Sequence, residues 1–157
     1  MKSIIRAVLS MFLTLAILTS ISYPAAASSG TIWESEDNGD FSNADQTYDD
    51  YDNYGYISSS DYNGPSLGDT WKVSFPYNGY ANFYLGHIPS GCNYELVIYK
   101  PDLSGILASS YNTGNTRELV TVPVVKNTVY YVHIFSISGY SSSNAYPFER
   151  SCIHMLD

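Results

Sequence analysis

Ten of the fifteen acidic residues lie between Glu34 and Asp69, and no Lys or Arg interrupts them. The run opens with Trp33-Glu34-Ser35-Glu36-Asp37-Asn38-Gly39-Asp40. Carboxylates gathered at this density repel one another unless water or a bound cation screens them. Calcium is a hard cation that takes six to eight oxygens from carboxylates, amide carbonyls, backbone and water. If the segment at Glu34 is extended, Glu34, Glu36 and Asn38 share one side and offer two carboxylates and an amide oxygen together. The spacing is not that of an EF-hand, whose Asp-x-Asp-x-Asp-Gly and later glutamate are missing. The plain alternative is a solvated acidic arm, which is what most charge runs are.

Other chemistry finds little support. His87, His133 and His154 are isolated from one another, and neither His-Glu-x-x-His nor Gly-x-Ser-x-Gly occurs. His133 falls in a strand pattern and is expected to be half-exposed there. Cys92 with His87 or His133 as nucleophile and base has nothing to recommend it, and a disulfide would remove it. Glu95 and Asp102 make a poor catalytic pair, because Asp102 follows Pro101 as a turn residue. No enzyme activity is expected. Cys92 and Cys152 are the only cysteines, and two cysteines in an exported chain usually pair. A Cys92–Cys152 bridge is therefore expected, with a free buried thiol as the alternative.

The elements that must carry these residues follow from composition and periodicity. Residues 1–27 read as a secretory signal peptide: Lys2 and Arg6 form the charged start, Ala7 to Ile21 the apolar stretch, and Ala25-Ala26-Ala27 the cleavage site. The apolar stretch is short for a bilayer span of about 20 residues. Removing it leaves 130 residues, enough for one domain, with 5 basic and 15 acidic groups and a formal charge of −10. That sign argues against nucleic acid and against anionic membrane surfaces. The mature chain is expected to be a secreted, extracellular monomer that does not associate with membrane. Tyrosine is abundant, with 15 of 16 after the signal, and suits both half-buried strands and binding surfaces.

Residues 28–68 form an acidic, Tyr- and Asp-rich N-terminal segment of the domain. Within it, Tyr48-Asp49-Asp50-Tyr51-Asp52-Asn53-Tyr54 is biased enough to suggest an exposed loop, and Asn63-Gly64-Pro65 is a turn signal. From 69 to 157 a core of period-two strands is expected. Trp71, Val73 and Phe75 share one face, and so do Ala81, Phe83 and Leu85. Tyr94–Tyr99, Ile106–Ala108, Leu119–Val122 (ended by Pro123) and Thr128–Ile137 follow as strands. Ala145–Glu149 is the last, placed at a sheet edge by Pro147. Turn signals every 8 to 12 residues and the absence of a helical period predict an all-β antiparallel β-sandwich of about seven to nine short strands.

The order of these pieces resembles the bacterial pre-peptidase C-terminal domain, a small β-sandwich of the jelly-roll-like kind found on secreted proteases and collagenases. Glu34-Ser35-Glu36-Asp37-Asn38 followed by Phe41-Ser42-Asn43-Ala44-Asp45 looks like the family's opening. Gly55-Tyr56-Ile57-Ser58-Ser59-Ser60-Asp61 is similar to the segment before its first long strand. Leu96-Val97-Ile98-Tyr99-Lys100-Pro101-Asp102-Leu103-Ser104-Gly105-Ile106-Leu107-Ala108 and Thr128-Val129-Tyr130-Tyr131-Val132-His133-Ile134 match two later motifs. The resemblance runs from about Thr31 to Phe148, with Asn127 where glycine is usual and an apparent insertion, Tyr62 to Gly68, between Asp61 and Asp69. It implies a calcium site built from Glu34, Glu36, Asn38, Asp61 and Asp69, with Asp40 as a spare ligand. No protease domain precedes the module, so a stand-alone copy is expected.

The reading favoured is a non-catalytic, calcium-stabilised module that binds an extracellular protein or polysaccharide through exposed tyrosines. Tyr84, Tyr99, Tyr130 and Tyr131 are the candidates, although Tyr130 and Tyr131 point to opposite faces, so that one of them belongs to the core. An accessory, chaperone or inhibitor protein that acts on a secreted protease is the alternative, and a small hydrolase ranks last.

Overall fold

The computed structural model describes residues 30–63 and 67–154. The expected signal peptide and the Gly64-Pro65 part of the expected turn lie outside the described residues. Among the described residues there are ten strands and one short helix. Strands β1 (Gly30–Trp33), β2 (Asp45–Gln46) and β3 (Tyr51–Ile57) come first, then helix α1 (Ser59–Asn63). After them run β4 (Asp69–Val73), β5 (Gly79–Leu85), β6 (Asn93–Tyr99) and β7 (Ile106–Ser110). The last three are β8 (Glu118–Val124), β9 (Tyr130–Ser138) and β10 (Ser141–His154).

Two five-stranded sheets result, one in the order β1-β3-β10-β5-β8 and the other β2-β4-β9-β6-β7. All pairs are antiparallel except β1 with β3 and β2 with β4. This is the expected sandwich. Its core holds the inward residues read from the alternation, Trp71, Val73 and Phe75 from β4 and its exit and Ala81, Phe83 and Leu85 from β5 of the facing sheet, joined by Leu96, Ile98, Val132 and Ile134 of β6 and β9, which share the sheet of β4. Phe148 of β10 lies between Phe83, stacked at 6.4 Å, and Trp71 at 5.8 Å. Burial of these large apolar faces is the main force holding the sheets together.

Four expectations need correction. The stretch Tyr48–Tyr54 is not all loop: only Tyr48 to Asp50 turns at the surface, and Tyr51 begins β3, which pairs with β1 on one side and β10 on the other. Pro147 does not mark an edge, because β10 lies between β3 and β5. The proline is tolerated there because the β5 ladder ends at the Phe148–Leu85 pair, and only Gly86 N reaches beyond it, to Pro147 O at 3.2 Å. Pro123 does not end β8, which runs on to Val124 as the sheet edge, where a missing N–H costs little.

The fourth concerns the cysteines, which are not bonded to each other. Cys92 precedes β6, whose Tyr94 ring meets Tyr146 at 6.2 Å. Cys152 lies six residues beyond Tyr146 on β10, roughly 20 Å along an extended strand. A disulfide needs Cα atoms within about 7 Å, so the strand direction itself separates the pair.

Candidate metal centre and aromatic face

The acidic residues come together where β1, β3 and β4 meet the α1 loop. Glu34 leaves β1 with its N–H bonded to Tyr54 O at 2.9 Å, and its Oε1 accepts from Tyr56 N at 3.3 Å. The chain then turns instead of staying extended, with Asp37 in the left-handed region at φ 71°. The turn brings Asn38 Nδ2 to Asp45 Oδ2 at 2.8 Å and to within 3.4 Å of Glu34 Oε2. Asp45 also accepts from Ser35 N at 2.7 Å and Ser35 Oγ at 2.9 Å, so it ties the turn together.

Asn38 O accepts from Thr70 N at 3.1 Å, which joins the turn to β4. Asp61, at the start of α1, accepts from Ser58 N at 2.6 Å. Gly68 N returns to Asp61 O at 3.0 Å and closes the insertion that separates Asp61 from Asp69 in sequence. Ser58 Oγ donates to Glu36 Oε2 at 3.3 Å. Asp69 is fully buried, and its Oδ2 accepts from the Tyr146 hydroxyl at 2.5 Å. Gly55 of β3 lies under this group: a Cβ there would collide with the Tyr146 ring and come within 2.8 Å of Glu34 Cγ.

The electrostatics fit a crowded set of anions. Burial, then the charges of Glu36, Asp61 and Asp45, push the Glu34 carboxyl up to about 7 in spite of its backbone bond to Tyr56. Burial, with Glu34, Asp61 and Glu36 nearby, pushes Asp69 well above the usual carboxylate range. Two buried oxygens, Asn38 Oδ1 and Asp69 Oδ1, have no hydrogen-bond partner. Hard oxygen donors and orphaned buried acceptors are of the kind a hard cation binds, and its charge would relieve the mutual repulsion. Still, among the described residues no group of three or more His, Cys, Asp and Glu side chains converges closely enough to hold a metal ion as it stands. Asp40 is exposed; the charges acting on Glu34 come from Glu36, Asp61 and Asp45, and those acting on Asp69 from Glu34, Asp61 and Glu36.

Asp45 and Tyr146 are the participants that sequence reasoning missed. Asp45 lies in the family-like opening, while nothing near Tyr146 in the sequence signals its partner.

The tyrosine candidates separate by face. Tyr130 is buried, with its hydroxyl accepting from Val125 N at 2.9 Å, so it is the core member of its pair. Tyr131 and Tyr99 lie opposite each other on the outer face of the β2–β7 sheet. Phe41, from the loop between Asn38 and Asp45, packs edge-on against Tyr99 at 4.9 Å and Tyr131 at 5.4 Å. His133 and Phe135 extend the row, stacked at 5.5 Å. His133 Nδ1 is 3.0 Å from Thr70 Oγ1, and burial pulls its pKa down to about 4. Tyr84 belongs to the other sheet, opposite Glu149 and Leu119, and joins no part of this row. Among the described residues no helix is long and apolar enough to cross a membrane.

No family model matches the chain, and no curated protein matches it in sequence. Among solved structures it is similar to the pre-peptidase C-terminal domain of a collagenase from Bacillus anthracis, with a TM-score of 0.50 at 12% identity. The match covers 69% of this chain and 94% of that one. The chain has the fold of that domain.

Proposed function

We propose that this chain is a non-catalytic, calcium-stabilised binding module, secreted and acting outside the cell, whose aromatic row grips an extended extracellular protein. The observation that carries the reading is Phe41. One short loop runs from the carboxylates at Glu34 and Glu36 through Asn38 and Phe41 to Asp45, so whatever fixes the acidic end also fixes a ring on the binding face. Glu34, Glu36, Asn38, Asp61 and Asp69 would supply oxygens to a calcium ion, with one side-chain oxygen of Asn38 and one of Asp69 already lacking any donor. The ion's charge would offset the repulsion that now raises Glu34 and Asp69. Rigid aromatic side chains in a row suit binding to a chain, because they bury large area with little loss of rotamer freedom. The likeness to a collagenase domain supports a protein ligand.

The test is co-sedimentation of the purified protein with insoluble collagen and with cellulose and chitin, in calcium and in EDTA, for the parent and for Phe41→Ala and Tyr131→Ala. Binding to collagen that weakens in EDTA and in both variants is expected. Retention by the polysaccharides alone would replace the protein ligand. Binding unaffected by all three changes would remove the aromatic row from the function.

A further inference from the structure

We infer that a second ligand site, shaped for a neutral saccharide ring, lies at the end of the sandwich away from the acidic cluster. A cavity of about 400 Å³ opens there, lined by Tyr48, Asp49, Tyr51, Tyr77 and Arg150. Arg150 is four residues beyond Tyr146 on β10, roughly 13 Å along the strand, so this cavity shares no residue with the acidic cluster. The volume lies in the range that holds small ligands.

Arg150 forms the cavity's fixed point. Its side chain is only 4% exposed. Nη1 donates to Asp49 Oδ1 at 2.8 Å and to Ser74 O at 3.2 Å, and the guanidinium rides on the Phe75 ring at 5.2 Å from its centroid. Its Nε is buried without any partner. An ion pair that buries the guanidinium with an orphaned donor adds little stability by itself, since well-packed apolar residues hold sheets together as well. What the pair does achieve is a carboxylate held at one oxygen: Asp49 is 56% exposed, and Oδ2 can accept from a ligand hydroxyl. Arg150 is thus a positioning residue and Asp49 the contact.

The walls select the ligand's character. Tyr48 and Tyr51 are 58% and 40% exposed, with ring centroids 6.0 Å apart at 59°. The negative faces of such rings attract the slightly positive C–H face of a pyranose. An anion would meet Asp49, the neighbouring Asp50 and a chain of net charge −8. A cation would share the cavity with the guanidinium. A neutral polyhydroxylated ring avoids both penalties and matches the mixture of acceptor, donor and aromatic surface.

The experiment is NMR of the purified protein in calcium, following the Arg150 Nε–H and the tyrosine ring signals. Glucose, galactose, mannose, xylose and N-acetylglucosamine are titrated singly, with acetate and tetramethylammonium as charged controls. Saturable shifts of Arg150 Nε–H with at least one sugar and with neither control are expected. Asp49→Asn should weaken that sugar about tenfold or more, the worth of one hydrogen bond to a charged group. Tyr48→Ala, which spares the ion pair, should do the same if Asp49→Asn disturbs the fold. Silence with all five sugars, a response to either control instead, or full affinity in Tyr48→Ala overturns the proposal. None of these outcomes bears on the aromatic row, which Phe41→Ala tests separately.

Discussion

Glu34→Gln should have opposite effects on stability with and without calcium. The amide keeps Oε1 for the Tyr56 N–H and nearly the same shape, so what is lost is the charge and the long 3.4 Å contact from Asn38 Nδ2 to Oε2. The Glu34 carboxyl stands at about 7 against an ordinary 4.5, chiefly through burial. A raised carboxyl pKa means that between those values the folded chain holds a proton the unfolded chain has lost. Stability therefore falls as pH rises through that window, and the full penalty is present by pH 8. Taken whole, the shift would be about 3 kcal/mol. Glu34 is partly exposed, so solvent screening reduces this to about 1–2 kcal/mol. At pH 8 in EDTA, Glu34→Gln should gain that amount, about 3–8 °C in Tm for a domain of this size. At pH 4 the gain should vanish. In calcium a hundredfold above its Kd the parent gains about 2.7 kcal/mol, and the variant should lose most of it. Thermal melts of parent and variant in EDTA and in millimolar calcium, at both pH values, contain the whole test. A variant less stable than the parent in EDTA at pH 8, or one with the parent's full response to calcium, would refute the argument.

Two further outcomes follow from the same end of the fold. Burial holds His133 at about 4 instead of 6.5, so the stability of the neutral ring is complete above pH 6.5 and is lost as pH falls from there toward 4, by up to about 3 kcal/mol; His133→Gln should flatten the acid limb of a denaturant-midpoint profile, and an unchanged profile would mean that the imidazole is solvated. Gly55→Ala should cost about 1–3 kcal/mol by overpacking against Tyr146 and Glu34, with a reduced calcium response in calorimetry, whereas a neutral outcome would show that the two side chains do not meet over Gly55.

The strands from residue 69 onward were legible because their inward positions are apolar: Trp71, Val73, Ala81, Phe83 and Leu85 alternate as the pattern requires. β3 was not, for a physical reason. Its inward residues are Asn53, Gly55 and Ile57, and only the last is apolar. Asn53 is buried because its Nδ2 bonds Tyr51 O and Phe148 O. Gly55 is glycine because Tyr146 and Glu34 occupy the space above it. A strand whose inner face serves a polar site has no period-two signal to read. Glu118 escaped notice in the same way: it is fully buried, accepting from Ser110 Oγ and from Asn112 N at 2.9 Å, partners that become visible only once β7 and β8 are brought together. The grouping of Glu34, Glu36 and Asn38 was anticipated through an extended segment, whereas the chain groups Glu34 and Asn38 through a turn that Asp45 fastens.

The misses at Gly55, Glu34 and Asn38 fall at one end of the sandwich, and that has consequences for function. Over most of its length the sandwich is closed by aromatic and aliphatic side chains from both sheets. At the acidic end the corresponding positions are Asn38, Asp61 and Asp69, with Glu34 over Gly55. Glu34 comes from beside one sheet and Asp69 from the other, so charge at this end pushes the two layers apart where the core elsewhere pulls them together. An apolar cap would have removed the problem, at the loss of any response to the surroundings. On the proposed reading, the order of the Glu34–Asp45 loop, and with it the seat of Phe41 on Tyr99 and Tyr131, depends on what neutralises the carboxylates. If that dependence is real, hydrogen exchange in EDTA should open the loop before it opens the strands, because the loop has the least apolar burial to hold it. Uniform exchange across loop and core would mean that Asp45 alone fastens the turn, and the acidic end would then be structural with no bearing on binding.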